Sequence, residues 1–253
     1  TKKYTKLLEL PLESQAGLNT VDDNYLIWTE SMDDSNWYKT RLHIYDRKQK
    51  KDEVIYCHST DPETGMVYAW NWSKPVIIKD KIYFDDYTGP SKVDMFCYDI
   101  KSKEIKKIQE MAKWPTKYKG EVAWNEKGEE NQIFIRTFDG KQKSLITTID
   151  TDEGMFSLNT GGDTLVIINN GLYVDKHDGN GLQVYRDEKV LPIIATKKSS
   201  LYLEWPETDG RIVIFGACGI YQKPVFYDIK YDKIIESAIN KIQTYLINKY
   251  SLS

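Results

Sequence analysis

One short pattern constrains this chain more than any other: a run of apolar residues ends in an aromatic, meets an aspartate, and turns through lysine. It occurs five times, as LHIYDRK from Leu42, MFCYDIK from Met95, IRTFDGK from Ile135, LQVYRDEK from Leu182 and PVFYDIK from Pro224. The aromatics are Tyr45, Tyr98, Phe138, Tyr185 and Tyr227, spaced by 53, 40, 47 and 42 residues. A period of this length carried by strands and turns is the mark of a propeller, in which each repeat is one blade. The expected fold class is therefore all-β, a five-bladed β-propeller in a single domain over residues 1–253.

Each aromatic–Asp run follows a second strand-like run: YLIWTE, KIYFDDY, EVAWNE, DTLVIIN and RIVIFG. All are rich in β-branched and aromatic residues and bounded by Gly, Asp or Asn. Several open on a pair that tolerates positive φ, namely Asp23-Asn24, Lys79-Asp80, Gly161-Gly162 and Asp209-Gly210, as a tight hairpin requires. The aspartates of the pattern (Asp46, Asp99, Asp139, Asp187 and Asp228) are expected to accept backbone N–H groups two residues on and so close the next hairpin. An outer strand follows in the first four repeats: DEVIYCH, KEIKKIQ, KSLITTI and KVLPIIA.

The innermost strands are less regular. GLNTVDD, VYAWNWS, a stretch near 113–119, MFSLNTG and LYLEWPE fill that slot. The blades then run over about 17–60, 66–110, 112–150, 153–196 and 200–230. The fifth repeat shows no outer strand of its own. Beyond it, apolar residues at 235, 238, 239, 242, 245 and 246 predict a C-terminal helix over about 232–249 with Asp232 as N-cap. TKLLELPL, residues 5–12, reads as an N-terminal strand that completes the last blade and removes the open edges of the ring.

A net charge of −3 with interspersed lysines and acids argues against a nucleic-acid partner, which favours a basic face. Lysine clusters such as Lys48, Lys50 and Lys51 read as solvated guards of turns and edges. Cys57, Cys97 and Cys218 are too few and too scattered for a disulfide framework or a zinc site. No run approaches the ~20 apolar residues of a membrane span. A threonine at position 1 fits removal of a signal peptide and fits a trimmed chain equally well. No cofactor is expected.

The runs YLIWTE with LHIYDRK, and KIYFDDY with MFCYDIK, resemble TolB-like β-propeller repeats over roughly residues 17–230. The third repeat is short, the fourth has Arg186 inserted before its Asp, and the first carries the extra loop Ser59–Met66. The resemblance implies a binding or scaffold domain of the bacterial envelope, extracellular or envelope-associated. It brings no catalytic residue with it.

Candidate binding residues are aromatic. Trp70, Asn71, Trp72, Trp114, Trp124, Glu204 and Trp205 lie on or beside predicted innermost or second strands, and an indole face with amide and carboxylate neighbours suits a sugar ring. The competing reading is that tryptophans fill the wedges between blades. Trp37 and Tyr38, in the polar loop SMDDSNWYK, are the kind of residues that anchor a protein partner. A glycoside-hydrolase reading would need carboxylates roughly 5–10 Å apart, for which Asp22, Asp23, Asp85, Asp86 and Glu204 are the candidates. No catalytic residue is assigned. The loop Asp175–Gly181 superficially resembles a calcium loop but lacks the closing Glu, His43, His58 and His177 form no ligand spacing, and no metal site is assigned. The partner expected is another protein or a glycan.

Overall fold

The structure, a computed structural model, describes residue 9 and residues 14–32, 39–58, 74–89, 92–127, 132–150, 154–161, 164–171, 181–186, 188–195, 202–208, 212–218, 223–228 and 233–234. Among these residues the chain is all-β, with five four-stranded antiparallel sheets and no helix. The first sheet is β1 (Ser14–Val21), β2 (Tyr25–Met32), β3 (Lys39–Asp46) and β4 (Lys51–Cys57). The second is β5 (Val76–Ile78), β6 (Lys81–Gly89), β7 (Lys92–Asp99) and β8 (Ile105–Gln109), and the third β9 (Ala112–Tyr118), β10 (Glu121–Lys127), β11 (Gln132–Phe138) and β12 (Lys143–Asp150). The fourth is β13 (Gly154–Gly161), β14 (Thr164–Gly171), β15 (Gly181–Arg186) and β16 (Lys189–Ala195); the fifth is β17 (Tyr202–Thr208), β18 (Ile212–Cys218), β19 (Lys223–Asp228) and β20 (Lys233–Ile234). Within every sheet the strands neighbour one another in chain order. The second, third and outer strands of the first four repeats fall where the sequence puts them, to within a few residues.

Two places differ from expectation. The first strand of the second sheet is Val76–Ile78, after Pro75, rather than the expected VYAWNWS, which lies outside the described residues. Val76, Ile77 and Ile78 pair with Tyr83, Ile82 and Lys81, so the apolar VII segment next to the Lys79-Asp80 turn wins the register. In the fifth sheet the place beside β19 is held by β20, whose Ile234 and Lys233 pair with Tyr227 and Asp228. A fourth strand thus pairs with the third in this sheet, as in the other four. The expected helix therefore starts no earlier than residue 235, and residues 235–249 lie outside the described set, as do residues 5–8 and 10–12 of the expected closing strand.

The contacts of the chain divide it into two units, Thr1–Pro115 and Thr116–Ser253, with the boundary inside β9. In the first unit, Ile27, Leu42, Ile44 and Ile55 of the first sheet form one cluster with Ile82, Phe84 and Tyr98 of the second. Tyr56 reaches across to Phe84, ring centroids 4.8 Å apart, and Phe84 stacks on its cross-strand partner Phe96 at 5.6 Å. Successive side chains of a strand point to opposite faces, yet in β6 the whole run Ile82 to Asp86 is buried. Both faces are covered, which explains why the second strands read as continuous apolar runs rather than alternations. Each such large apolar side chain contributes on the order of 1.5–3 kcal/mol by leaving water. In the second unit Val122, Ala123, Trp124, Ile135 and Leu165 are buried, and Tyr118 meets Tyr185 edge-on at 6.4 Å.

The outer strands share a device. One residue is left unpaired in each of β4, β8, β12 and β16, and it is isoleucine every time: Ile55, Ile108, Ile146 and Ile193. A bulge of this kind bends the strand and raises its twist. An irregularity also recurs in first strands. β1 shifts register around Leu18-Asn19 and β17 around Trp205-Pro206, while in β9 Trp114, before Pro115, has φ +62°.

Candidate functional site

A meander has two kinds of end. One end of each sheet carries the hairpins between first and second strands and between third and outer strands. The opposite end carries the connections from second to third strands and the links to the next sheet. At the hairpin end the aspartates of the repeat do the structural work expected of them. Asp46 Oδ1 accepts the Lys48 and Gln49 N–H groups at 2.8 and 2.7 Å, Asp99 Oδ1 those of Lys101 and Ser102 at 3.0 Å, and Asp139 Oδ1 those of Lys141 and Gln142 at 2.7 and 3.0 Å. The N–H groups of Ser102 and Lys101 hold the Asp99 carboxyl below the usual carboxylate range, and those of Gln142 and Lys141 do the same for Asp139. Asp187 lies outside the described residues, and Asp228 is buried opposite Lys233.

The candidate binding residues are described only in part. Trp37 and Tyr38 fall between β2 and β3, and Trp70, Asn71 and Trp72 between β4 and β5; all five lie outside the described residues. Trp114 is the third residue of β9, and Glu204 and Trp205 flank the irregularity near the start of β17. Trp124 is different. It is fully buried in the middle of β10 and donates its indole N–H to Glu126 Oε2 at 3.4 Å.

Just inside the end opposite the hairpins polar groups, most of them buried, share one register position in the first three sheets, of which sequence reasoning singles out only Asp85 and Asp86. Taking the partner of the repeat aromatic as origin (Leu26 opposite Tyr45, Ile82 opposite Tyr98, Val122 opposite Phe138), the residues three and four further on are Thr29-Glu30, Asp85-Asp86 and Asn125-Glu126. Glu30 faces His43 Nε2 at 3.2 Å and Arg41 at 3.7 Å. His43 stacks on Trp28 at 4.1 Å and sets its Nδ1 2.7 Å from Asp52 Oδ2, while the Trp28 indole donates to Asp52 Oδ1 at 2.9 Å. A doubly protonated ring donates to both carboxylates; a neutral ring donates to one. In the second sheet the Tyr56 hydroxyl donates to Asp86 Oδ2 at 2.7 Å, and His58 Nδ1 pairs with Asp86 Oδ1. In the third, Arg136 Nε stands 3.2 Å from Glu126.

Asp85, on the opposite face of β6 from Asp86, accepts the Trp114 N–H at 2.8 Å and so holds the left-handed backbone at that residue. Asp94, directly across from Asp86 and fully buried, takes Thr88 Oγ1 at 2.9 Å, Lys107 Nζ at 3.1 Å and the Met111 N–H at 3.2 Å. Burial pushes its carboxyl up, but the hydrogen bonds from Lys107, Thr88 and Met111 outweigh that and hold it below the ordinary range. Burial also raises the Tyr83, Tyr98 and Cys97 groups. Asp22 is a turn residue, its Oδ1 taking the Asn24 and Tyr25 N–H groups. Of the acids weighed for glycoside hydrolysis, Asp22, Asp85 and Asp86 are thus engaged by the fold. Asn125 is the exception in the band: its amide nitrogen meets no hydrogen-bond partner among the described residues.

Among the described residues no group of three His, Cys, Asp or Glu is placed to hold a metal ion, and no helix is long and apolar enough to cross a membrane. A cleft of about 220 Å³ opens at the hairpin end between the first two sheets, lined by Tyr25, Asp46, Gln49, Lys51, Glu53 and Lys103 among others. The Lys103 ammonium closes on both Glu53 oxygens at 2.8 and 2.9 Å, which lowers the Glu53 carboxyl. The signal that could have revealed the polar band is the break in apolar character at a fixed distance from the repeat aromatic.

No protein-family model matches the chain, and no curated protein matches it by sequence. Solved structures do. TolB from Acinetobacter baumannii aligns over 87% of this chain and 53% of its own, with 11% identity and a TM-score of 0.56. The β-propeller domain of the Trilobed protease from Pyrococcus furiosus aligns over 89% and 71%, with 14% identity and a TM-score of 0.58. An oligogalacturonate lyase in complex with manganese aligns over 88% and 67%, with 14% identity and a TM-score of 0.60. The chain spans about half the length of the TolB structure. At these identities the likeness is one of fold, and the fold it shows is the β-propeller, TolB-like in its repeats.

Proposed function

We propose that the five sheets are the blades of one five-bladed propeller domain, residues 1–253, acting as a non-catalytic binding or scaffold module that takes a protein partner at its loop-bearing end. One observation carries the reading. The acids nearest that end, buried Glu30 and Asp86 and partly buried Glu126, each face a basic side chain of the fold itself (Arg41 or His43, His58, Arg136), so they brace the platform. What remains for recognition is the set of connections at that end, among them the segment with Trp37 and Tyr38. Loops on a rigid scaffold are where binding usually resides, and a shared fold does not by itself carry a shared activity. The cell-envelope setting rests on the resemblance to TolB-like repeats.

A second reading, a carbohydrate-binding or glycoside-hydrolase-like propeller, is favoured by the Trp-Pro steps at the irregular points of β9 and β17. The experiment is site-specific photocrosslinking in the producing cells, with the reactive side chain at position 37 or at position 48 on the hairpin end. Discrete protein adducts from position 37 and none from 48 support the protein-binding module; adducts from 48 alone overturn the assignment of the face. A glycan array probed with the wild type, Trp72→Ala and Trp205→Ala decides the second reading. Binding lost in the variants establishes it in place of the first, and turnover of a polysaccharide by the wild type overturns the non-catalytic part.

A further inference from the structure

Register builds one wall of the cleft at the hairpin end. Tyr25 pairs with Asp46 and Asp46 with Lys51, so these three form a cross-strand row; two residues further in, Ile44 pairs with Glu53 as the next row. Side chains two apart on a strand share a face, and all five line the cleft. The facing wall belongs to the second sheet, with Tyr98 of β7 and with Ile100 and Lys103 of the turn that follows it. Ile44 and Tyr98 are buried. The charges divide into a closed pair and an open one. Lys103 Nζ directs two of its three donors to the Glu53 oxygens at 2.8 and 2.9 Å. Asp46 uses Oδ1 for the Lys48 and Gln49 N–H groups, and its Oδ2 takes no hydrogen bond among the described residues. Lys51 stands across from Asp46 in the ladder, yet no ion pair joins them, and its attraction to Glu53 is a longer-range one.

What the cleft offers is one carboxylate oxygen and one ammonium on neighbouring strands, their Cβ atoms about 5 Å apart by ladder geometry, beside an aromatic and aliphatic surface. A ligand of a single charge leaves either Asp46 or Lys51 without a counter-charge. A ligand that carries both signs on one carbon answers both. We infer that the cleft binds a free α-amino acid with an apolar side chain. Its ammonium donates to Asp46 Oδ2, its carboxylate accepts from Lys51 and from the remaining Lys103 donor, and its side chain lies against Tyr25, Tyr98 and Ile44. The volume of about 220 Å³ is below the roughly 300–1,000 Å³ of pockets for drug-sized ligands, which suits a single amino acid rather than a longer molecule. This inference is independent of what the loop-bearing end binds.

Titration of the full chain with L-phenylalanine, followed by ligand-observed NMR, tests it beside two truncated analogues: phenylpropionate, which lacks the ammonium, and phenethylamine, which lacks the carboxylate. L-Phenylalanine is expected to saturate one site, and each analogue to bind about tenfold more weakly or worse, the loss of one charge-assisted contact. Asp46→Asn, which can still close the turn, and Lys51→Met are each expected to weaken L-phenylalanine by a similar factor. Asp46→Asn should also narrow its lead over phenylpropionate. Lys48→Met, on the same hairpin but outside the cleft, is expected to leave the affinity unchanged. Circular dichroism confirms that each variant keeps its sheets, and the analogue series needs no variant at all. Absence of saturable L-phenylalanine binding up to its solubility limit overturns the proposal. So does either analogue binding as tightly as the amino acid, which makes the cleft a simple anion or cation site, or an affinity indifferent to both Asp46→Asn and Lys51→Met.

Discussion

Removing the His58 side chain isolates a buried polar link between the first two sheets. The imidazole and the Asp86 carboxyl are both almost wholly enclosed, at 1% and 0% side-chain exposure, and they join the end of β4 to the middle of β6. Asp86 also stands directly across from Asp94, a second buried carboxylate. His58→Ala leaves the Asp86 charge in low dielectric beside a like charge, with the Tyr56 hydroxyl still donating to it. Breaking one side of a buried pair costs about 3–5 kcal/mol, because the surviving charge is uncompensated. Asp86→Ala should cost a similar amount. The double variant removes both members of the pair, so its loss should fall short of the sum of the singles by about 1–3 kcal/mol, the usual coupling of contacting residues. Urea unfolding followed by tryptophan fluorescence and by circular dichroism measures this, with the slope against denaturant required to stay constant. The reasoning is refuted if His58→Ala lies within about 0.5 kcal/mol of the wild type or if the two losses simply add.

Three further outcomes are expected. The Asp99 and Asp139 carboxyls are held below their ordinary values in the folded chain, so their stabilisation is complete above the unfolded pKa of about 3.9 and is lost as pH falls through the lower folded values. Asp99→Asn, which can still close the turn, should flatten the acid limb of a melting-temperature series relative to the wild type; an unchanged limb contradicts the assignment. Lys50 has φ +55° and is exposed. Relief of about 1 kcal/mol of left-handed strain on Lys50→Gly is offset by the greater freedom of glycine in the unfolded chain, so that variant should be near neutral, while Lys50→Val should fall about 1–2 kcal/mol below it in a denaturant melt. Ile55→Ala should cost about 2–5 kcal/mol, because the bulged side chain belongs to the core shared by the first two sheets. A loss near zero in chemical unfolding would make the bulge a backbone feature alone.

The repeat was legible because each of its parts answers to one local rule. An aromatic before Asp marks the third strand, the carboxylate closes the hairpin through its own neighbours, and the strand-like run after the turn marks the outer strand. Asp46, Asp99 and Asp139 need nothing beyond the next three residues to do their work, so reading them required no knowledge of the fold. The first strand of the second sheet was misplaced for the converse reason. VYAWNWS has the stronger β composition, but pairing beside the Lys79-Asp80 turn depends on register, and register favours the three residues nearest that turn.

The polar band was illegible for a deeper reason. Its acids recur at one register position, but the groups that meet them recur only in part: His43 and Arg136 both stand two residues before the repeat aromatic, whereas His58 comes from the preceding sheet. Glu30 is met by Arg41 and His43 from the next strand of its own sheet, Asp86 by His58 at the end of β4 of the preceding sheet, and Glu126 by Arg136 from the strand beside it. No spacing in the sequence links His58 to Asp86 and Arg136 to Glu126 as the same device. The buried charge is a constraint on the site as a whole, and any nearby element can satisfy it. That freedom is why histidine spacing gives no sign of the contacts at His43 and His58, although both are held by carboxylates, and why five acids that look available for chemistry include at least two already committed to holding sheets together. The distinction between a structural and a catalytic carboxylate in this fold lies in whether a cation or donor of the protein stands within reach of it, which only the packed sheets decide.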